Sequence, residues 1–399
     1  METQVTYWTF KNSDKFKVPL CLLSAGQVKF IEDGVKFTTE VNLCFLNCWS
    51  FNEINGTVKN NSELISKVYD NKITLILDCT NASIDSSNEI NLIERKSNNF
   101  ESLFKYCDIE NTKILVVQDV EYISKYCNID SNIVNIMKDI PYYAYFTNWY
   151  NKQKIKLYPK KYSFSCFLGT TIRASRINLL SKIYQEGLES DILITKFPVK
   201  QIKNSYVNIV DKLDNNILKT QEFKNFVSTY NDEYVSKNIE KIFSYKLLDS
   251  DRNTEDKYYR QRYENQSIKN FKNKVDDQII KKELLESCVN IVSESRFNTL
   301  YFTEKTYKCI HAKIPFIPHT TIDFNYWFKK LGFEPYSFYN HIPCNDLDAQ
   351  SNFITTNIKM LNSEIETISF EDREIINHNY NNYKLLCNNM NHTISQLDK

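Results

Sequence analysis

The sequence predicts an α/β protein of two layered domains, and three observations predict it. Its 399 residues exceed what one hydrophobic core usually serves. Short apolar runs alternate with polar stretches long enough for crossover helices, as a parallel sheet requires. The runs themselves are near-continuous and rich in β-branched residues, VNIV at 289–292 among them, which is the pattern of strands buried on both faces.

Residues 1–155 make the expected first domain. Strands are read over 41–49, 73–78, 114–118 and 142–147, with helices over 60–69 and 91–106. Asp78, Asp119 and Glu121 fall at strand ends, where open parallel sheets place their ligands. Asp119 and Glu121, in VVQDVEY, are the carboxylates nominated as a general base toward a substrate hydroxyl. Each also fits a carboxylate that merely starts a helix.

The basic stretch NKQKIKLYPKK at 151–161 is the expected linker. The second domain, 156–346, opens with a strand at 163–168 and a helix at 174–184 carrying Ile177, Leu180 and Ile183 on one face. Between them GTTIRASR presents Arg173 and Arg176 near a helix N-terminus, which favours anions, and a guanidinium offers a fork of donors suited to phosphate. A pair of surface arginines is the alternative reading. A further strand is read at 191–195. Residues 231–274 are crowded with charges and tyrosines without a sustained apolar face, and read as a solvated helical insertion; the interleaved acidic residues argue against nucleic acid as its partner.

The most informative stretch is 288–332. A buried strand at 289–292 leads through a polar loop to Thr303, which stands where a helix N-cap should, followed by Glu304 and Lys305 in the first turn. That helix stops before Pro315. A second strand at 314–317 and a second helix at 322–331 follow, the latter ended by Gly332. A lysine at a helix N-terminus on the carboxyl side of a parallel strand suits a phosphate, and the adjacent carboxylate suits ribose hydroxyls. The same pair also fits a dipole-stabilising glutamate beside a solvated lysine. Residues 347–399 read as two helices, over 347–366 and 371–390.

Composition narrows the function. A formal net charge of +1, from 50 basic and 49 acidic residues, argues against a general nucleic-acid or anionic-membrane surface. With 6 glycines and neither a Walker motif nor GxGxxG, any phosphate site must use helix ends and side chains. No GxSxG turn is present, and the 5 histidines form no triad pattern; His311 reads as a packed imidazole on an apolar helix face. The 11 scattered cysteines read as reduced thiols, and Cys44 with Cys48 as buried thiols rather than zinc ligands. METQVTYWTFKNSDKFK lacks the apolar core of a signal peptide, and no run of about 18 apolar residues could span a membrane, so a cytoplasmic location is expected.

FTEKTYKCIHAKIPFI, residues 302–317, resembles the donor-binding signature of the alpha-1,3-fucosyltransferases, an apolar or aromatic residue, Thr/Ser-Glu-Lys, an apolar helix, then a Pro-Val-Val type strand. It is also similar to uncharacterised phage and large-virus proteins with Thr-Glu-Lys-Thr, a Pro-Phe-Ile strand and a later Leu-Gly-Phe, here Leu331, Gly332 and Phe333. The resemblance implies the GT-B arrangement of two Rossmann-like domains facing each other across a cleft, with a nucleoside-diphosphate sugar as co-substrate and a glycan, protein or small-molecule hydroxyl as acceptor. It implies Glu304 on the ribose, Lys305 on the diphosphate, and Arg176, with Arg173, also on the diphosphate. Transfer would invert the anomeric carbon and need neither metal nor cofactor. The sequence departs from the family after Ile317, where Pro318, His319 and Thr320 stand in place of a glycine, which makes His319 a further donor-side residue. A non-catalytic binding protein of viral or phage type on the same fold is the alternative.

Overall fold

Among the described residues of the computed structural model, every strand pairing is parallel. The structure describes residues 6–10, 28–31, 42–47, 58–78, 107, 110–116, 121, 137–139, 142–151, 155, 158–168, 174–195, 280–294, 300, 302–320, 323–338, 347–362 and 370–395. The expected helix over 91–106 and the charged insertion over 231–274 lie outside the described residues.

The first sheet is built from β1 (Thr6–Phe10), β2 (Val28–Ile31), β3 (Asn42–Asn47), β4 (Thr74–Asp78), β5 (Thr112–Val116) and β6 (Met137–Asp139), in the order β2-β1-β3-β4-β5-β6. Helix α1 (Ser62–Asp70) crosses from β3 to β4 and buries Ile65 and Val68. The second sheet holds β7 (Tyr162–Phe167), β8 (Ile192–Thr195), β9 (Ser287–Ser293) and β10 (Phe316–His319), in the order β10-β9-β7-β8. Each sheet therefore starts with a strand flanked by the second strand of its unit on one side and the third on the other. Between the first and third strands the winding reverses, and this is where doubly wound sheets bind ligands.

The second sheet is covered on both faces. Val289 and Ile291 of β9 join Phe164, Cys166 and Ile317 under α3 (Ala174–Gln185) and α7 (Leu347–Asn362), which contribute Leu180, Ile183, Ile354 and Ile358. The alternate residue Asn290 turns to the other face, where its amide donates to Cys309 Sγ at 3.1 Å and accepts from Ser165 Oγ at 2.9 Å. Here α5 (Glu304–Ala312) and α6 (Phe324–Lys330) cover the sheet, with Phe316, Phe324 and Phe328 in edge-on contact. Burying rings of this size contributes about 1.5–3 kcal/mol each, and two-sided coverage is why β9 reads as a near-continuous apolar run broken only by Asn290. A short α4 (Lys282–Leu285) leads into β9.

One expectation is overturned. Residues 142–147 form no strand; they open α2 (Tyr142–Asn151), and β6 takes the edge position instead. The aromatic run YYAYFT has the composition of a strand, but its buried residues Tyr143, Ala144, Thr147, Asn148 and Asn151 recur at helical spacing. Three of the five are polar, so an apolar pattern could not reveal them. The two asparagines have partners: Asn151 Oδ1 accepts from Ile280 N at 2.9 Å, and Asn148 Oδ1 from Lys384 Nζ at 2.7 Å. Strands β1, β2 and β6 are three to five residues long and fall below what alternation can distinguish.

The last helix, α8 (Phe370–Ser395), packs with α2 and α5. One of its faces also binds the backbone after α6. Asn382 Nδ2 donates to Leu331 O, Asn379 exchanges bonds with Glu334 N and O, and Asp372 accepts from Ser337 N and Oγ. Gly332, at φ +82, holds a left-handed backbone that favours glycine, and Asn382 stands 3.1 Å from where a Cβ would be.

Candidate functional site

The carboxyl ends of β7 and β9, adjacent in the sheet, frame the reversal point of the second unit. Arg176 lies in the first turn of α3, the helix that follows β7. It is 2% exposed, and its Nη2 donates to Ser293 O at 3.3 Å and Glu294 O at 3.5 Å, the carbonyls where β9 ends. A guanidinium out of water needs such acceptors, and the end of a parallel strand offers carbonyls that no neighbouring strand uses.

Glu294 follows β9 directly and is buried. Its Oε1 accepts from Thr303 N at 3.1 Å and Thr306 Oγ1 at 2.6 Å, and its Oε2 accepts from Thr303 Oγ1 at 2.5 Å. Burial pushes its pKa up, against the opposing pull of Lys305 and of the threonine donors. One carboxyl group thus gathers the residues on both sides of the α5 N-terminus.

Thr303 caps that helix: its backbone is extended and its Oγ1 accepts from Lys305 N at 3.3 Å. The same oxygen accepts from Lys305 Nζ at 3.3 Å, and Lys305 Nζ also bonds Glu304 Oε1 at 2.8 Å. The two side chains remain 18% and 11% exposed, so this corner touches solvent where Glu294 and Arg176 do not. Burial alone would raise the Glu304 pKa, but Lys305 and Lys308 outweigh it and the net shift is downward, which keeps the carboxylate ionised. The corner therefore presents a cation and an anion side by side at the positive end of a helix.

His319 ends β10 in register with Ser293. It is fully buried, its Nδ1 lies 3.2 Å from Ser293 Oγ, and burial together with nearby Arg176 pushes its pKa down to about 3. It is a neutral interior imidazole beneath the rim. The rim is closed on that side by α7, whose Gln350 Oε1 accepts from Thr320 N at 3.1 Å and whose Asp348 accepts from Asn178 of α3 at 2.7 Å. Arg173 and Asp119 lie outside the described residues. Glu121 is exposed and ion-paired with Lys330 of α6. His311 is packed as expected, 2.9 Å from Tyr383 O–H, with its pKa lowered by burial to about 4.

The structure thus brings Arg176, Thr303, Glu304 and Lys305 around one residue, Glu294, that the sequence reading passed over. Its signal is a carboxylate directly behind a buried strand, in VSES, at a position that an apolar pattern ending at Val292 leaves in the loop. Among the described residues no group of three or more His, Cys, Asp or Glu side chains is placed to hold a metal ion, and no helix is long and apolar enough to cross a membrane. The sequence matches no protein-family model and no curated protein.

Proposed function

We propose that the chain is a glycosyltransferase that moves a sugar from a nucleoside diphosphate to an acceptor hydroxyl, with the donor held on the second unit. One observation carries this reading: two cationic side chains from separate strand-helix junctions are tied to one residue, Glu294, at the reversal point of a parallel sheet, Arg176 through its carbonyl and Lys305 through Thr303. Bond cleavage at the anomeric carbon leaves charge on the departing diphosphate. A fixed ammonium beside a helix N-terminus stabilises that charge as it develops, without waiting for solvent to reorganise. Lys305 supplies the ammonium. Glu304, held ionised, accepts from ribose hydroxyls, and Arg176 braces the floor on which the diphosphate rests. The acceptor proton goes to a carboxylate behind β5; Glu121 is engaged by Lys330, so Asp119 is the base in this reading.

Calorimetric titration of the full chain with GDP, UDP and their sugars tests it. Saturable binding of one of them is expected, weakened at least about ten-fold, or about 1.4 kcal/mol, in Lys305→Ala, with a smaller loss in Glu304→Gln. No binding, or binding that both variants leave unchanged, removes the reading.

A non-catalytic binding protein on the same fold is the second reading. The depth of Arg176, whose Nη2 is already committed to two backbone carbonyls, favours it. Nucleotide-sugar binding without release of nucleoside diphosphate in the presence of any acceptor glycan would decide for it.

A further inference from the structure

We infer that Glu294 is a positioning residue, whose carboxylate fixes the first turn of α5 and through Thr303 sets where the Lys305 ammonium stands. The inference deepens the nucleotide-sugar reading of the same site, though its geometry stands independently of which ligand binds. The Glu294 carboxylate attracts Lys305 across space, and a hydrogen-bonded link fixes where that ammonium stands. The link is one oxygen, Thr303 Oγ1, which donates to Glu294 Oε2 and accepts from both Lys305 N and Lys305 Nζ.

A hydroxyl has one hydrogen to donate and two lone pairs to accept with. Thr303 Oγ1 uses all three. Its hydrogen can face Glu294 only while the Glu294 side chain is an acceptor there, and both lone pairs are then left for Lys305. The other two donors, Thr303 N and Thr306 Oγ1, converge on Oε1 from either side of the helix start. A carboxylate meets all three demands because it is an acceptor at both oxygens. A carboxamide meets them in neither orientation. With its N–H₂ toward Thr303 Oγ1 it competes with Lys305 for a lone pair, and with its N–H₂ at the Oε1 position it faces a backbone N–H. Glu294→Gln, nearly identical in shape, therefore loosens the cap or the lysine tether while keeping the packing. The backbone carbonyl of the same residue holds Arg176, so both cations are referenced to one point of the chain.

The test compares the full chain with Glu294→Gln, Thr306→Val and Thr306→Ser. Limited acetylation with an amine-reactive ester, read by peptide mass spectrometry, gives the labelling of Lys305 relative to Lys308, an internal reference one turn along the same helix. Glu294→Gln is expected to raise that ratio about five-fold, the size of one lost hydrogen bond. Thr306→Val should raise it less, and Thr306→Ser, which restores the hydroxyl, should return it to the wild-type value. A purely structural role would lower the melting temperature and label both lysines faster, leaving the ratio constant. A constant ratio in Glu294→Gln overturns the inference; if that variant does not fold, an equal ratio in Thr306→Val and Thr306→Ser does so. Titration with GDP and UDP is run alongside. If neither binds the wild-type chain, the nucleotide reading fails while the labelling ratio still judges Glu294; if one binds, Glu294→Gln should weaken it about ten-fold.

Discussion

The two sheets share a strand order, second-first-third-fourth, yet the described residues at their carboxyl rims differ in chemistry. In the first, the described rim carries Asp78, buried at the end of β4 beside Asn47 of β3. In the second, the rim gathers Arg176, Ser293, Glu294, Thr303, Glu304 and Lys305. Topology creates a place where helix ends and strand ends converge; it does not fill it. The residues placed there, not the strand order, give each rim its charge.

Histidine sharpens the contrast. All 5 histidines of the chain follow residue 300, so the first sheet and its crossovers have none. Two of those five, His311 and His319, are buried, and desolvation lowers their pKa values to about 4 and about 3, with nearby cations, Lys384 and Arg176 respectively, acting in the same direction. A histidine that resists protonation when folded favours the unfolded chain once protons are plentiful. Its contribution is fully present above the unfolded pKa of about 6.5 and is lost as pH falls toward the folded value. At about pH 5 each of the two costs roughly 2 kcal/mol relative to neutral pH, about 4 kcal/mol together. Hydrogen exchange read by mass spectrometry from pH 7 down to 5 should therefore show β7, β9 and β10 losing protection before β3, β4 and β5. His319→Asn should remove about half of the effect; equal acid lability of the two sheets would contradict the comparison.

The next largest effect separates the rims directly. Arg176→Ala leaves the Ser293 and Glu294 carbonyls without their donor and opens a cavity, and should cost about 2–4 kcal/mol in urea unfolding. Asp78→Asn keeps the volume at the first rim and should cost about 1–2 kcal/mol, with nucleotide binding unchanged. Loss of nucleotide binding in Asp78→Asn, at conditions where the variant is folded, would place the ligand on the wrong sheet for this account.

What could be read from sequence follows the same divide. The unit from β9 to α6 was legible because its local signals agree: β-branched runs, Thr303 as cap, Gly332 as stop, and side chains whose apolar period matches their helices. Thr303 does cap α5, and Gly332 does adopt a left-handed backbone after α6. The misread element, α2, buries Thr147, Asn148 and Asn151, a polar face whose partners Ile280 and Lys384 lie more than a hundred residues away in the chain. Pattern reading assumes that buried means apolar, and there it fails. Glu294 was missed for a related reason. A carboxylate after a strand is unremarkable alone, and only the return of Thr303 and Thr306 to the same point gives it three donors. His319, nominated because it replaces a glycine, is buried under the rim instead, since β10 continues through it in register with Ser293.

The smallest expected effect concerns the contact between the units. Glu121, behind β5, pairs with Lys330 at the end of α6, and Lys330 Nζ also lies 5.0 Å from the centre of the Trp327 ring. The carboxylate is 59% exposed and the ammonium 31%, so water and salt screen most of the attraction. Glu121→Gln should change stability by less than about 1 kcal/mol, and the difference should vanish in about 1 M salt. Its value lies in the separation of roles. If Asp119 takes the acceptor proton, Glu121→Gln leaves turnover with a sugar nucleotide near the wild-type rate while Asp119→Asn abolishes it. The reverse pattern would give the base to Glu121.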